Sequence, residues 1–242
     1  DALVHLLGEG IANGRWTSAQ KNLIRDSRIT GTRHLVGELK RCQNGPRVLV
    51  SASAIGLYGS RGEESLDETS QVGKGFLPSV CESWEQEASI AAEANIRTVL
   101  LRTGIVLSTQ GGALAKMLLP FRLCLGGPLG SGKQWMSWIH LEDQIGLILH
   151  ALEREEIEGP LNATAPNPVT NRAFSKALGR TLKRPAIAPT PGFVLKLIFG
   201  EMAQALLLEG QKVLPSRAIE TGYRFRFPEV DLALQDLLKR AL

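Results

Sequence analysis

The stretch RVLVSASA, residues 47–54, decides how the rest of the chain is interpreted. Its apolar residues Val48, Leu49 and Val50 are continuous rather than alternating with polar ones, which indicates a strand buried on both faces of a sheet. A second such strand is predicted at residues 96–102, where Val99, Leu100 and Leu101 form the continuous apolar run. Because a helical pattern separates the two runs, they predict βαβ units and therefore an α/β fold around a parallel sheet.

Further elements are predicted on both sides of these two strands. They are strands at 3–7, 135–139 and 161–163 and helices at 17–40, 79–94, 112–123, 140–153 and 170–182. The inner face of the first helix is predicted to carry Ile24, Ser27, Gly31, Leu35 and Leu39. From residue 185 prolines mark a linker, so we predict two units, 1–184 and 185–242, the second ending in a strand at 223–227 and a helix at 231–242.

The composition excludes several classes of protein. The 242 residues are 43% hydrophobic and 21% charged, as in ordinary globular domains and unlike disordered chains, coiled coils or collagen. The net charge of +4 is scattered without a basic stripe, so we expect no nucleic-acid partner. No apolar run approaches the ~20 residues that span a bilayer, so no membrane partner is expected. Three distant cysteines suggest neither a disulfide framework nor a zinc site and favour a cytoplasmic protein.

Two motifs that usually carry chemistry are incomplete. Residues 127–134, GPLGSGKQ, nearly match a phosphate-binding loop, but Gln134 replaces the hydroxyl that would bind magnesium. The residues that follow do not begin a helix, so we interpret the segment as a glycine-rich loop near a cleft. The four histidines lack the spacing of metal ligands, and no metal site is predicted.

Polar and small residues gather where the predicted parallel strands end. These positions are residues 8–9, 51–53 and 102–105. In open parallel sheets ligands bind outside the carboxyl ends of the strands. The Ser51 and Ser53 hydroxyls are therefore interpreted as facing a ligand, and ordinary packing at a strand end is the alternative.

The same residues resemble a known superfamily. VSASA at 50–54 followed by Tyr58-Gly59, the Gly31-Thr32-x-x-Leu35 pattern and WIHLED at 138–143 are similar to segments of extended short-chain dehydrogenases/reductases. The chain more closely resembles the atypical, NAD-dependent epimerase/dehydratase-like "epimerase family" branch, which carries a C-terminal domain of unknown function. The runs that carry this closer resemblance are 7–9, 51–59, 102–107, 111–120, 126–140, 165–170 and 209–215.

The resemblance implies a Rossmann-like sheet, an NADP(H) site, with NAD(H) less expected, and a small mixed α+β C-terminal lobe. It implies that Gly8 and Glu9 approach the adenosine half of the cofactor and that Arg15 reaches a phosphate. The nicotinamide side would be lined by Ser51, Ala52, Ser53, Arg102, Thr103, Gly104 and Ile105. The substrate would lie between Ser53, the loop at 126–132 and the C-terminal lobe.

Two departures from the superfamily pattern stand out. The G-x-x-G-x-x-G fingerprint that follows the first strand is missing, so we expect a sheet that is incomplete at the N-terminus by the first three strands. The catalytic Tyr-x-x-x-Lys is also missing, and VCESW stands at 80–84 where it is expected. Ser53 remains to hydrogen-bond a carbonyl, and Tyr58, Cys81 and Glu82 are candidate proton donors.

The sequence therefore predicts an NADP(H)-binding oxidoreductase or epimerase-like protein that acts on a small molecule of unidentified class. The alternative is a non-catalytic nucleotide-sensing or scaffold protein, with a division-related role conceivable. Any self-assembly is expected to be a homodimer.

Overall fold

The computed structural model describes residues 1–239, which form ten strands and nine α-helices. The strands are β1 (Ala2–His5), β2 (Val48–Ala54), β3 (Ser65–Leu66), β4 (Arg97–Thr103), β5 (Ile105–Leu107), β6 (Trp135–Met136), β7 (Trp138–His140), β8 (Gly159–Ala163), β9 (Val169–Thr170) and β10 (Lys212–Val213). The helices are α1 (Ser18–Leu39), α2 (Phe76–Ser89), α3 (Gly112–Arg122), α4 (Leu141–Glu153), α5 (Asn171–Leu182), α6 (Gly192–Phe199), α7 (Glu201–Ala203), α8 (Ser216–Glu220) and α9 (Val230–Lys239). Short 3-10 turns cover Ile55–Tyr58 and Ile90–Ala94, and a π-helical turn covers Gln204–Leu208.

A four-stranded parallel sheet in the order β1-β2-β4-β8 forms the centre of the fold. The predicted α/β class and the predicted parallel pairing of the two apolar strands are confirmed. Leu49 and Val50 of β2 are fully buried, as the continuous apolar run indicated. In contrast, β1 lies at one edge of the described sheet, and its only buried residue is His5.

Helix α1 forms as predicted, with the Thr17 side chain accepting a hydrogen bond from the Gln20 N–H at its start. The predicted inner face is correct at Ile24 but is one residue too early in the later turns, where Gly31 and Leu35 were predicted. The buried residues are Ile24, Thr32 and Val36. The polar Thr32 can be buried because its hydroxyl is hydrogen-bonded to His5 Nε2 and Trp84 Nε1, at 3.0 and 2.9 Å.

The segment 185–239 has much of its apolar surface in clusters shared with the sheet domain. It contributes to four of the five hydrophobic clusters, including α9 residues that pack with Trp138 and Phe174. The two-unit division at residue 185 stays a prediction. The two parts nevertheless share their cores, so the C-terminal unit stabilises the sheet domain directly.

The predicted strand at 223–227 is wrong, because this segment has no strand partner in the described structure. Instead, the carboxylate of Asp143 accepts hydrogen bonds from the backbone N–H groups of Arg226 and Phe227, at 2.8 and 2.9 Å. The Tyr223 hydroxyl donates to the same side chain at 3.1 Å. Asp143 of the WIHLED motif therefore fixes the C-terminal segment. The final helix is confirmed through Lys239, and its predicted residues 240–242 lie outside the described part of the chain.

Candidate functional site

Three polar residues lie side by side at the carboxyl edge of the central sheet. Ser53 on β2 is in register with Arg102 on β4, and Arg102 is in register with Asn162 on β8. Because the strands are parallel, this alignment brings their side chains to the same end of the sheet. The two strand ends that carry Ser53 and Arg102 are therefore adjacent. The parallel arrangement predicted from the sequence places them together in this way.

Glu85 of α2 joins Ser53 to Arg102. The Ser53 hydroxyl donates to Glu85 Oε1 at 2.6 Å, and Arg102 donates Nε–H and Nη2–H to the two carboxylate oxygens, each at 2.8 Å. All three residues are buried. Burial acts to lower the pKa of Arg102, but the hydrogen bonds and charge of Glu85 outweigh it and raise that pKa, so the guanidinium stays charged.

Tyr58 extends this arrangement toward β8. Its hydroxyl donates to Asn162 Oδ1 at 2.7 Å and accepts from Arg102 Nη1 at 2.9 Å. Burial raises the pKa of Tyr58, although the Arg102 charge partly opposes the increase. Ser53, Tyr58, Glu85, Arg102 and Asn162 form one hydrogen-bonded group, which we call the buried network. Since the Tyr58 ring is fully buried, its hydroxyl faces these partners rather than solvent.

Cys81 lies one helical turn before Glu85, on the same face of α2. Its side chain is buried, and burial together with the Glu85 charge raises the pKa of the thiol to about 12. A thiol in this state is a poor nucleophile and a poor acid at neutral pH. Glu82 points instead to the exposed side of the helix.

Sequence reasoning missed Glu85. A signal was present, because Cys81 and Glu85 have the four-residue spacing that the absent tyrosine and lysine would have. Trp84 and Ala88 continue the same buried face of α2, so a carboxylate among them needs a charged partner. Pairing it with Arg102 required knowing that α2 packs against the carboxyl ends of β2 and β4.

The segment after β1 lies against α1. The Glu9 N–H donates to Ser27 Oγ at 3.0 Å, and the Glu9 carboxylate accepts from Asn13 and Gln20, each at 3.2 Å. A Cβ on Gly8 would lie 3.0 Å from Cζ of Arg28, so a larger residue here would push the flexible end of that side chain aside. The adjacent register pair of His5 with Ser51 places this segment beside the end of β2.

Arg15 is engaged elsewhere in the described structure. Its guanidinium donates to the carbonyl oxygens of Leu197 and Ile198, at 2.5 and 3.0 Å. These carbonyls belong to the last turn of α6, where a cation is favourable. The predicted phosphate contact would require Arg15 to leave these two acceptors.

The other predicted site residues contribute mainly backbone packing. Ser51 is fully buried, and Ala52 is half-buried. Thr103 Oγ1 accepts from Gln144 at 3.2 Å, and the Ile105 N–H donates to the Ser137 carbonyl at 2.9 Å. A Cβ on Gly104 would lie 2.4 Å from that same carbonyl oxygen, so this position requires glycine.

The glycine-rich loop at 126–132 packs against the start of the C-terminal unit. A Cβ on Gly127 would lie 2.3 Å from the Ala188 carbonyl oxygen, and Leu129 forms a parallel bridge with Thr190. The loop therefore follows a neighbouring backbone closely. This packing explains its glycines without a phosphate ligand.

Two shallow depressions lie outside the buried network. One, of about 190 Å³, is bordered by Glu63, Trp135 and Gly210, and the other, of about 360 Å³, by Asp67, Pro160 and Arg217. Within residues 1–239, no group of three or more histidine, cysteine or acidic side chains is arranged to hold a metal. No described helix has both the length and the apolar character needed to cross a membrane.

Two family models match the sequence. The model described as "NAD dependent epimerase/dehydratase family" matches residues 1–163. The model described as "Domain of unknown function (DUF1731)" matches residues 190–237. The two matches together cover most of the chain.

Curated relatives match along nearly the whole chain. The Arabidopsis thaliana chloroplastic homolog of epimerase family protein SDR39U1 is 43% identical over 240 residues, which are 98% of this chain and 68% of the relative. Epimerase family protein YfhF of Bacillus subtilis is 39% identical over 239 residues, covering 98% of this chain and 78% of the relative.

Two solved structures share the fold at substantial identity. The crystal structure of human epimerase family protein SDR39U1 (isoform 2) with NADPH is 38% identical, has a TM-score of 0.95, and is matched over 99% of this chain and 82% of that one. A nucleoside-diphosphate sugar epimerase from Corynebacterium glutamicum is 33% identical with a TM-score of 0.79, matched over 98% of this chain and 46% of that one.

Proposed function

The chain belongs to the NAD-dependent epimerase/dehydratase family, and on that premise we propose that it binds NADP(H) and acts as an oxidoreductase or epimerase-like enzyme on a small molecule. The observation that carries the proposal is the match to the human relative crystallised with NADPH, with a TM-score of 0.95 over 99% of this chain. The preference for NADP(H) over NAD(H) rests on the same observation.

The carboxyl edge of the sheet fits a dinucleotide. Ala52 is a small, half-buried residue near the end of β2, beside the segment that follows β1, so a flat ring can approach the backbone there. The side-chain amides of Asn13 and Gln20 both donate to Oε1 of Glu9. The carboxylate can therefore accept hydrogen bonds from ribose hydroxyls through its other oxygen. We assign Gly8 and Glu9 to the cofactor's adenosine half and residues 51–53 and 102–105 to its nicotinamide side.

NADPH, when bound, supplies a hydride to an electrophilic carbon. The residues of the chain would orient the groups around that carbon. The ion pair of Glu85 with Arg102 holds Ser53 at one orientation, because the serine proton is directed into the carboxylate at 2.6 Å. Ser53 therefore presents lone pairs, and it can accept a hydrogen bond from a ligand hydroxyl or amide.

The three catalytic candidates Ser53, Tyr58 and Cys81 are all buried in the described structure, and burial raises the pKa of Tyr58 and of Cys81, so neither of these two is a ready proton donor at neutral pH. Ser53 directly follows Ala52 on β2, at the position that we assign to the nicotinamide side of the cofactor. Tyr58 and Cys81 lie on other elements. We therefore propose that Ser53 contacts the reacting group and that Tyr58 positions Arg102.

The proposal is tested by titrating the protein, in its full natural length, with NADPH and NADH in a calorimeter. We expect micromolar or tighter binding of NADPH and weaker binding of NADH. An absence of NADPH binding at micromolar concentrations would contradict the proposed cofactor.

Turnover is tested separately by following NADPH absorbance with a broad panel of carbonyl compounds. Oxidation coupled to any of them supports an enzyme. NADPH that binds tightly and is never oxidised across the panel would favour the alternative of a nucleotide-sensing or scaffold protein.

A further inference from the structure

Acidic residues are missing from two long segments of the chain. Segments 94–141 and 159–200 make up just over a third of the sequence, and they hold eleven of its 28 Lys and Arg residues and none of its 24 Asp and Glu residues. They include helices α3, α5 and α6 and the linker between the last two. The small net charge of +4 is therefore the sum of a strongly basic part and an acidic part.

Large apolar side chains are exposed among the basic residues of these segments. Six of them are each at least 60% exposed: Leu119, Leu123, Leu125, Ile187, Phe193 and Leu197. The exposed basic residues nearest to them in the chain are Lys116, Arg122, Lys183, Arg184 and Lys196. Within residues 1–239 none of these five cations is within ion-pair distance of a carboxylate. We call the two sets together the basic–apolar surface.

Backbone contacts bring the three parts of this surface together. Beyond the end of α3, the carbonyl of Gly126 accepts a hydrogen bond from the Ala188 N–H of the linker, at 3.3 Å. Leu129 forms a parallel bridge with Thr190, directly before α6 begins. The end of α3, the linker and the start of α6 are therefore neighbours.

The other ends of α3 and α6 border one common segment. Lys116 of α3 donates to the Ala12 carbonyl at 3.0 Å, and Arg15 donates to the Leu197 carbonyl of α6. Because residues 12–15 contact both helices, α3 and α6 lie on the same side of the molecule.

The combination of cations and exposed apolar side chains indicates the chemistry of the partner. A nucleic acid would neutralise the cations but would leave the six apolar side chains without apolar contacts, since protein–DNA interfaces are strongly polar. A folded acidic protein would need a shape that matches a helix end, a linker and a second helix. A bilayer with anionic headgroups has no fixed shape, accepts apolar side chains at the acyl boundary and leaves Lys and Arg at the phosphates.

We propose that the basic–apolar surface adsorbs to the headgroup region of an anionic lipid bilayer. The protein would lie on such a bilayer without crossing it, so the proposal needs no helix of membrane-spanning length. It goes beyond the proposed function and does not depend on cofactor binding.

The test is co-sedimentation of the full-length protein with sucrose-loaded vesicles. One set of vesicles is phosphatidylcholine alone, and the other contains about one third phosphatidylglycerol. We expect binding to the anionic set only, and a decrease when salt is raised from about 0.1 M to about 1 M, because the Debye length falls to about 3 Å. An absence of binding to the anionic vesicles at about 0.1 M salt would overturn the proposal.

The apolar contribution is tested by Phe193→Ser combined with Leu197→Ser. Ile145→Ser combined with Leu149→Ser is the matched control, because these two side chains of α4 are each 50% exposed and lie outside the basic–apolar surface. We expect the first pair to weaken binding by at least about 10-fold and the control to leave it unchanged. All four side chains are exposed, so both variants should keep the fold, which urea denaturation checks.

The charge contribution is tested by Arg122→Gln combined with Lys196→Gln. Lys40→Gln combined with Arg154→Gln removes the same charge from exposed positions elsewhere. We expect about a 5-fold loss of binding for each cation removed from the basic–apolar surface, and a much smaller loss in the control. An equal loss in the two variants would mean that net charge alone drives binding, and would contradict the proposal.

Two further probes separate lipid from other anionic partners. Duplex DNA and polyglutamate are titrated against the same four variants. Binding of either polymer that depends on Arg122 and Lys196, without binding to vesicles, would overturn the proposal and assign the surface to a nucleic acid or an acidic protein.

Discussion

Two arginines at the same edge of the sheet have opposite surroundings. Arg102 is buried in the network, where Glu85 and Tyr58 occupy its donors. Arg28 is half-buried and donates to one backbone carbonyl in the described chain. The comparison teaches that a guanidinium whose donors are occupied by buried partners stabilises the fold, whereas one with a single protein acceptor contributes less to stability. Stability measurements should therefore separate the two residues.

The largest expected effect comes from breaking the buried ion pair. Glu85→Ala leaves Arg102 buried without its counter-charge, and we expect the free energy of unfolding to fall by about 3–5 kcal/mol. Urea denaturation measures this loss. The double variant Glu85→Leu with Arg102→Met removes both charges and should be more stable than Glu85→Ala. A double variant that is less stable than Glu85→Ala would show that the hydrogen bonds of the buried network stabilise the fold beyond the neutralisation of the Arg102 charge.

Tyr58→Phe tests the next link of the network. The change leaves Asn162 Oδ1 and Arg102 Nη1 without the hydroxyl that joins them, and we expect a loss of about 1–3 kcal/mol in the free energy of unfolding. Tyr223→Phe is the matched control, because Asp143 keeps its two backbone donors there. A cost in Tyr58→Phe no larger than in Tyr223→Phe would argue against a tightly coupled network.

Cys81 gives a pH test of the burial beside Glu85. Burial raises the pKa of its thiol from 9.0 to about 12, so the unfolded chain loses this proton first as pH rises. The thiol's contribution to stability is complete below pH 9 and is lost between 9 and 12, by about 1 kcal/mol at pH 10. Denaturation at pH 8 and 10 should show a smaller decrease in Cys81→Ala than in the unmodified protein.

Alkylation provides a second reading of the same thiol. Cys42 and Cys124 are exposed and should react with iodoacetamide at pH 8, while Cys81 should stay unmodified in the folded protein. Labelling of Cys81 at a rate similar to the exposed pair would mean that this part of α2 opens readily.

Arg28→Gln is expected to have the smallest effect on stability. One hydrogen bond to a carbonyl and the contact with the Trp84 ring are lost, so the free energy of unfolding should fall by about 1 kcal/mol, measured by urea denaturation. A loss as large as that of Glu85→Ala would remove the contrast between the two arginines. Arg28 would then be structural.

Part of the site could be predicted from the sequence, and part could not. Ser53 and Arg102 were found because each follows a continuous apolar run, and parallel strands bring their carboxyl ends together. Glu85 was missed because helical periodicity identifies a buried face of a helix without identifying the residues that this face contacts. The burial of Thr32 was missed for the same reason. It depends on hydrogen bonds to His5 on β1 and to Trp84 on α2, which lie far from Thr32 in the sequence.

By itself, the sequence determined the α/β class, the parallel sheet and the edge at which polar residues gather, since apolar runs and helix caps act over a few neighbouring residues. Only the tertiary structure decided which charges are paired. The partners of Ser53, Arg102 and Asp143 lie 17 to 84 positions away, and their hydrogen bonds form only when distant elements pack at a particular distance. That packing gives Arg102 several hydrogen-bond partners and leaves Arg28, in the described chain, with one backbone carbonyl.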